Sequence, residues 1–203
     1  ALADPAAFYR PPEPLPAIER SHRVPGPEGM EFWLRFPSKD GDTAWAKVYE
    51  PEHPADRTPT LILCHGLCVE PEMWGTTTGI PYALIRAGMR VVAPEAPWHS
   101  RRMVPGRYGG EPMIATAPRG GPDLFRAALG DIATLIGWSR GEGSALLAVG
   151  GTSLGALTTQ LVATQAREWP EPLQPDFLLL VTTSGSLRQV AIDSELAAVF
   201  GLG

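Results

Sequence analysis

Apolar positions along the chain fall into runs of two periods. Glu31–Phe36 is rich in Phe and Trp, and Thr43–Glu50 (TAWAKVYE) alternates apolar with polar. Both read as antiparallel strands, joined by a turn at Lys39-Asp40-Gly41-Asp42. From Thr60 onward short, wholly apolar runs alternate with helical spacing. TLILCHG (Thr60–Gly66), MRVVA (Met89–Ala93), ALLAVG (Ala145–Gly150) and FLLLVT (Phe177–Thr182) read as strands, MRVVA as one of the buried type. Between them, Ile80–Gly88 reads as a helix closed by glycine, and Leu154–Glu168 as a helix ended by Trp169-Pro170. Asp123–Arg140 carries Leu124, Leu129, Ile132, Leu135 and Ile136 at helical spacing with Pro122 at its start, and Gln189–Phe200 reads as a last helix. Such alternation predicts an α/β fold: a mostly parallel sheet with helices on both faces.

The proline-rich stretch 1–29 lacks periodicity and reads as an extended arm, leaving one domain over 30–203. Within that domain, 94–121 is rich in Pro and Gly and reads as a long loop or small lid. A chain that is 44% hydrophobic and 19% charged has the composition of a globular protein, which argues against disorder. The net charge of -5 gives no reason to expect a nucleic-acid partner. No apolar run approaches the ~20 residues of a membrane-spanning helix. With only Cys64 and Cys68, a disulfide framework is not expected; thiols in a reducing compartment make the cytoplasm the default location. Two thiols without a second pair are a weak metal signal, so both read as packing residues, and neither a metal nor a cofactor is expected. Oligomeric state is left open, a homo-oligomer included.

Gly151-Thr152-Ser153-Leu154-Gly155 carries the most chemistry. It follows an apolar strand and opens a helix, which is where a nucleophile elbow holds its serine. Small residues on both sides (Gly151, Gly155 and Ala156) suit so sharp a turn. The competing assignment for Ser153 is a helix N-cap. Upstream, Leu63-Cys64-His65-Gly66-Leu67 ends another apolar strand. The backbone N–H groups of Leu67 and Leu154 are the candidate oxyanion donors. His65, before Gly66, reads as a loop brace in preference to a base.

These pieces, with Pro94-Glu95-Ala96-Pro97-Trp98-His99-Ser100-Arg101, resemble the α/β-hydrolase superfamily over roughly residues 30–185. The third segment is similar to the superfamily's P-G-H-G-x-S loop, with Trp98 and Ser100 where the glycines stand. The resemblance implies a serine hydrolase acting on a small-molecule ester or related acyl bond through an acyl-enzyme. Ser153 would be the nucleophile, Leu67 and Leu154 the oxyanion donors, and His65, Gly66, Gly151, Gly155 and His99 the supporting residues. A loop-bracing role is preferred for His99 over one at the site mouth. Arg101, Arg102, Arg107 and Tyr108 read as a solvated run rather than an anion site. One departure is serious: the triad order is serine, acid, histidine, yet no histidine follows Ser153. Asp176 reads as a turn residue, and Asp193 is a minor candidate for the acid. The acid, the histidine and two or three further strands are therefore expected beyond residue 203, leaving these residues inactive alone. The alternatives are a non-catalytic hydrolase-like binding protein, or a peptidase or acyltransferase of the same fold.

Overall fold

A computed structural model of the chain describes residues 3–67 and 79–186, together with positions 189 and 193. In chain order its helices are α1 (Pro5–Phe8), α2 (Ile80–Arg86), α3 (Glu111–Ala115), α4 (Gly120–Gly141) and α5 (Leu154–Gln165). The strands are β1 (Glu19–Arg20), β2 (Val24–Pro25), β3 (Met30–Pro37), β4 (Thr43–Glu50), β5 (Thr60–Cys64), β6 (Arg90–Pro94), β7 (Leu147–Thr152) and β8 (Phe177–Val181). They form one mixed sheet in the order β1-β3-β4-β6-β5-β7-β8, with β2 also on β3. Pairing is antiparallel from β1 to β6 and parallel across β6, β5, β7 and β8.

The two predicted strand periods have distinct causes. In the β3–β4 hairpin, Phe32, Leu34, Phe36, Ala44, Ala46 and Val48 point inward, while Trp33, Arg35 and Trp45 face out. The five residues of β5 are all buried, because helices cover both faces of the parallel part. On one face, Ile62, Val92, Leu147 and Val149 pack against Leu124, Leu129, Ile132 and Ile136 of α4 and Leu154 and Val162 of α5. On the other, Tyr49, Leu61, Leu63 and Val91 pack against Ile85 of α2. Among the described residues no helix is long and apolar enough to cross a membrane.

Several boundaries differ from the sequence expectation. Helix α4 begins at Gly120, not Asp123, because Pro122 falls in the first turn, where an amide has no i−4 partner to lose. Strand β7 lies two residues later than expected, since its register, Thr60↔Leu147 to Cys64↔Gly151, carries it to the edge of the elbow. Helix α5 closes at Gln165 and tightens into a 3-10 turn over Ala166–Glu168. The arm supplies α1, β1 and β2, while the 94–121 segment holds a 3-10 turn at Ser100–Arg102 and then α3. Among the described residues β8 is the edge strand of the sheet, with all five side chains exposed. Cys68 and, apart from positions 189 and 193, the helix expected over Gln189–Phe200 lie outside the described residues.

Candidate active site

Ser153 sits between β7 and α5 with φ 52° and ψ −115°, a strained conformation for a residue with a Cβ. Strand and helix both hold it there. Its N–H donates to Val181 O (3.2 Å) and its carbonyl accepts from Leu157 N–H (3.0 Å). The side chain is exposed and makes no capping bond, so its hydroxyl is not spent on the helix. The flanking glycines are steric necessities. A Cβ on Gly151 would overlap the Gly155 backbone, and one on Gly155 would overlap Cys64 O and stand 2.5 Å from Cys64 C and 2.8 Å from His65 O. The start of α5 therefore rests directly on the carboxyl end of β5.

That contact brings Leu67 and Leu154 to the same end of adjacent parallel strands as Ser153. Leu154 is buried and Leu67 half-buried. Neither amide donates to an acceptor among the described residues.

His65 is buried with both ring nitrogens engaged. Nε2 accepts the Ala96 N–H (2.9 Å), which fixes the proton on Nδ1, donating to Gly66 O (2.7 Å). Burial above all, and then neighbouring His99, pushes its pKa down to about 4. It is a neutral brace that ties the turn after β5 to the turn after β6. His99 is fully buried, its ring 5.0 Å from that of His65 in an edge-to-face arrangement. Its Nδ1 donates to Pro97 O (2.9 Å), Nε2 has no partner among the described residues, and burial again lowers its pKa. Trp98 (φ 64°) and Ser100 (φ 54°) occupy left-handed backbone, so the two residues standing in place of glycines keep the glycine conformation.

The arginines after His99 do not form one solvated run. Arg107 and Tyr108 are exposed, but Arg102 is buried. It donates to Asp131 Oδ2 (2.8 Å), Asp42 Oδ2 (2.7 Å), Glu95 O (2.8 Å) and Ser38 Oγ (3.1 Å). Asp131 lies inside α4, where burial raises its carboxyl pKa against the pull of Arg102, and a buried carboxylate there demands such a partner. Arg101 stacks on Trp33, 3.7 Å from the ring centroid, and pairs with buried Glu95, whose pKa burial also raises. Sequence reasoning missed Asp131 and Ser38, whose partnership with Arg102 no local pattern reveals.

Asp176 is the turn residue expected. It accepts Leu147 N–H (2.7 Å) and Arg140 Nη2 (3.0 Å), and the Arg140 bond lowers its pKa. The pairing of Ala148 with Phe177 and Thr152 with Val181 puts it at the far end of β8 from Ser153. A small cavity of about 20 Å³ lies behind the elbow, lined by Cys64, His65, Asp131, Leu154 and Thr158, with room for about one water. A groove of about 360 Å³ runs along α5 between Phe125, Leu157, Leu161 and Ser184. Neither includes Ser153. Cys64 is a buried free thiol, pushed up to about 12 by burial, which makes it a packing residue.

No protein-family model and no curated protein matches the chain by sequence. Solved structures do match its fold. Acetyl xylan esterase 1 from a Thermoanaerobacterium species superposes with a TM-score of 0.56 at 22% identity, over 75% of this chain and 50% of that one. A structure from Bacteroides fragilis gives a TM-score of 0.64 at 13% identity, over 81% and 49%. An S-formylglutathione hydrolase from Agrobacterium tumefaciens gives 0.54 at 14% identity, over 74% and 59%. The chain thus has an α/β-hydrolase-like fold, and it spans about half the length of the first two structures.

Proposed function

We propose that this chain carries the nucleophile and oxyanion half of a serine hydrolase that cleaves carboxylic esters or related acyl bonds. The observation that carries the proposal is the strained, exposed Ser153 at the β7–α5 junction, its hydroxyl unused by the helix it precedes. Backbone strain of this kind costs ~1–3 kcal/mol and persists where the surrounding structure enforces it for use. Ser153 Oγ attacks the acyl carbon and yields its proton to a base. The carbonyl oxygen, now an oxyanion, is held by the Leu67 and Leu154 N–H groups at the positive end of the α5 dipole. Collapse of the tetrahedral adduct expels the alcohol as it takes up a proton, leaving an acyl-Ser153 that water then hydrolyses. The esterases of similar fold favour ester bonds as substrates.

The base is none of the four histidines of this sequence. His65 and His99 are buried and neutral, and Ser153 Oγ makes no hydrogen bond to any of them. That same observation favours a second reading, a hydrolase-like protein that binds a ligand without catalysis. A fluorophosphonate probe applied to the full-length protein separates the two. Labelling mapped to Ser153 and abolished by Ser153→Ala supports the hydrolase; an unreactive Ser153 in a folded, full-length protein supports the binding protein.

A further inference from the structure

Segment 103–119 approaches the oxyanion turn closely at Gly110. Gly110 precedes α3 with φ 79°, and its N–H donates to Trp98 O (3.0 Å). A Cβ at this position would overlap Leu67 Cδ1 and stand 2.7 Å from both Cε1 and Nε2 of His99. The oxyanion turn, the His99 turn and the start of α3 therefore meet where a side chain on this one Cα would stand. His99 cannot yield, being fully buried with Nδ1 bonded to Pro97 O. Leu67 is packed against the main core. Gly106 is an internal contrast: it lies in the same segment with the same φ of 79° and has nothing within 4 Å of its would-be Cβ. Both glycines suit a left-handed backbone, but only Gly110 is also demanded by a contact.

From this we infer that Gly110 is a positioning residue, which fixes the Leu67 amide at the height the oxyanion requires by seating α3 on the side chain of Leu67. The inference rests on the reading of Ser153 as nucleophile and Leu67 N–H as oxyanion donor. A methyl group at Gly110 pushes on Leu67 and His99 together, and only Leu67 has a flexible end to give way. Misplacing one donor by ~1 Å is enough to cost one to two orders of magnitude in turnover.

The test compares wild type, Gly106→Ala, Gly110→Ala, Leu67→Ala and the Gly110→Ala/Leu67→Ala pair in the full-length protein. The readouts are hydrolysis of p-nitrophenyl acetate and inhibition by a boronic acid, which forms a tetrahedral adduct on the serine. Gly106→Ala is expected to lower thermal stability by the strain of its backbone while keeping kcat and KM. Gly110→Ala is expected to lower kcat about tenfold or more with KM within about twofold, and to weaken boronate binding in proportion to kcat. Removing the Leu67 side chain relieves one of the two overlaps, so the pair should regain part of that loss. Should Gly110→Ala fail to fold, Leu67→Ala alone decides, because it opens the same contact without backbone strain: kcat and boronate affinity should fall together. Equal kcat and boronate affinity in Gly106→Ala and Gly110→Ala, or unchanged values in Leu67→Ala, overturn the inference while active wild type leaves Ser153 in its role. A wild-type protein that neither hydrolyses the ester nor accepts a fluorophosphonate overturns the functional reading, and the inference with it.

Discussion

Replacing Arg102 by Met tests whether the turn framing the site hangs on a buried charge. The guanidinium is 1% exposed and its main partner, Asp131, 6%. Asp42 is 42% exposed at its side chain, so that pair contributes little. Methionine fills a similar volume but leaves the Asp131 carboxyl without its countercharge, a change worth about 3–5 kcal/mol when one partner of a buried pair is removed. Against the ~5–15 kcal/mol of an ordinary domain, that is a large fraction. The loss should depend on pH. Burial already raises the Asp131 pKa above its unfolded value, and removal of Arg102 raises it further. A carboxyl with a raised folded-state pKa stabilises the fold at low pH and loses that contribution as pH rises toward the folded value. Arg102→Met should therefore be more damaging at about pH 8 than at about pH 5, and Asp131→Asn in the same background should flatten the difference. Urea unfolding followed by tryptophan fluorescence measures both. A loss under about 1 kcal/mol at about pH 8 would refute the buried-network reading and return Arg102 to the solvated run its sequence suggests.

Three further outcomes follow from the site. His65, with its pKa depressed to about 4 from 6.5, favours the folded state above its unfolded pKa; on the order of 3 kcal/mol is lost as pH falls from about 6.5 to 4, and His65→Gln should abolish that slope in denaturant titrations. Gly155→Ala, which drives a Cβ into the Cys64 backbone, should cost about 1–3 kcal/mol in unfolding free energy and slow fluorophosphonate labelling, whereas Gly121→Ala, with open space around it, should be neutral or mildly stabilising. Ser153→Gly should raise stability by roughly 1 kcal/mol in calorimetry while eliminating labelling, because glycine adopts φ 52° freely.

The parts of this fold legible in the sequence are those that local pattern controls. Burial on both faces makes residues 61–64 of β5 and Val91 and Val92 of β6 apolar without alternation, and the one-sided burial of β3 and β4 writes an alternation. The stripe Leu124, Leu129, Ile132, Leu135 and Ile136 is the face α4 lays on the sheet. The elbow was legible because Gly151 and Gly155 record close approaches of backbone to backbone. Relations between distant residues were not. Arg102 meets Asp42 and Asp131 only after the sheet brings three segments together, and its own neighbours, Arg101 and Met103, say nothing of burial. Nothing local in the sequence separates Gly110 from Gly106; the difference is the Leu67 and His99 side chains that the fold brings beside Gly110. Trp98 and Ser100 hid a glycine-like turn behind side chains that disfavour it.

The chemistry assigned to Ser153 is tested most directly by trapping its acyl form. The full-length protein mixed with p-nitrophenyl acetate and acid-quenched early should show a burst of nitrophenol and one acetyl group on the peptide holding Ser153, both absent in Ser153→Ala. Steady hydrolysis with no acyl group on that serine, or a burst that survives its replacement, contradicts the assignment.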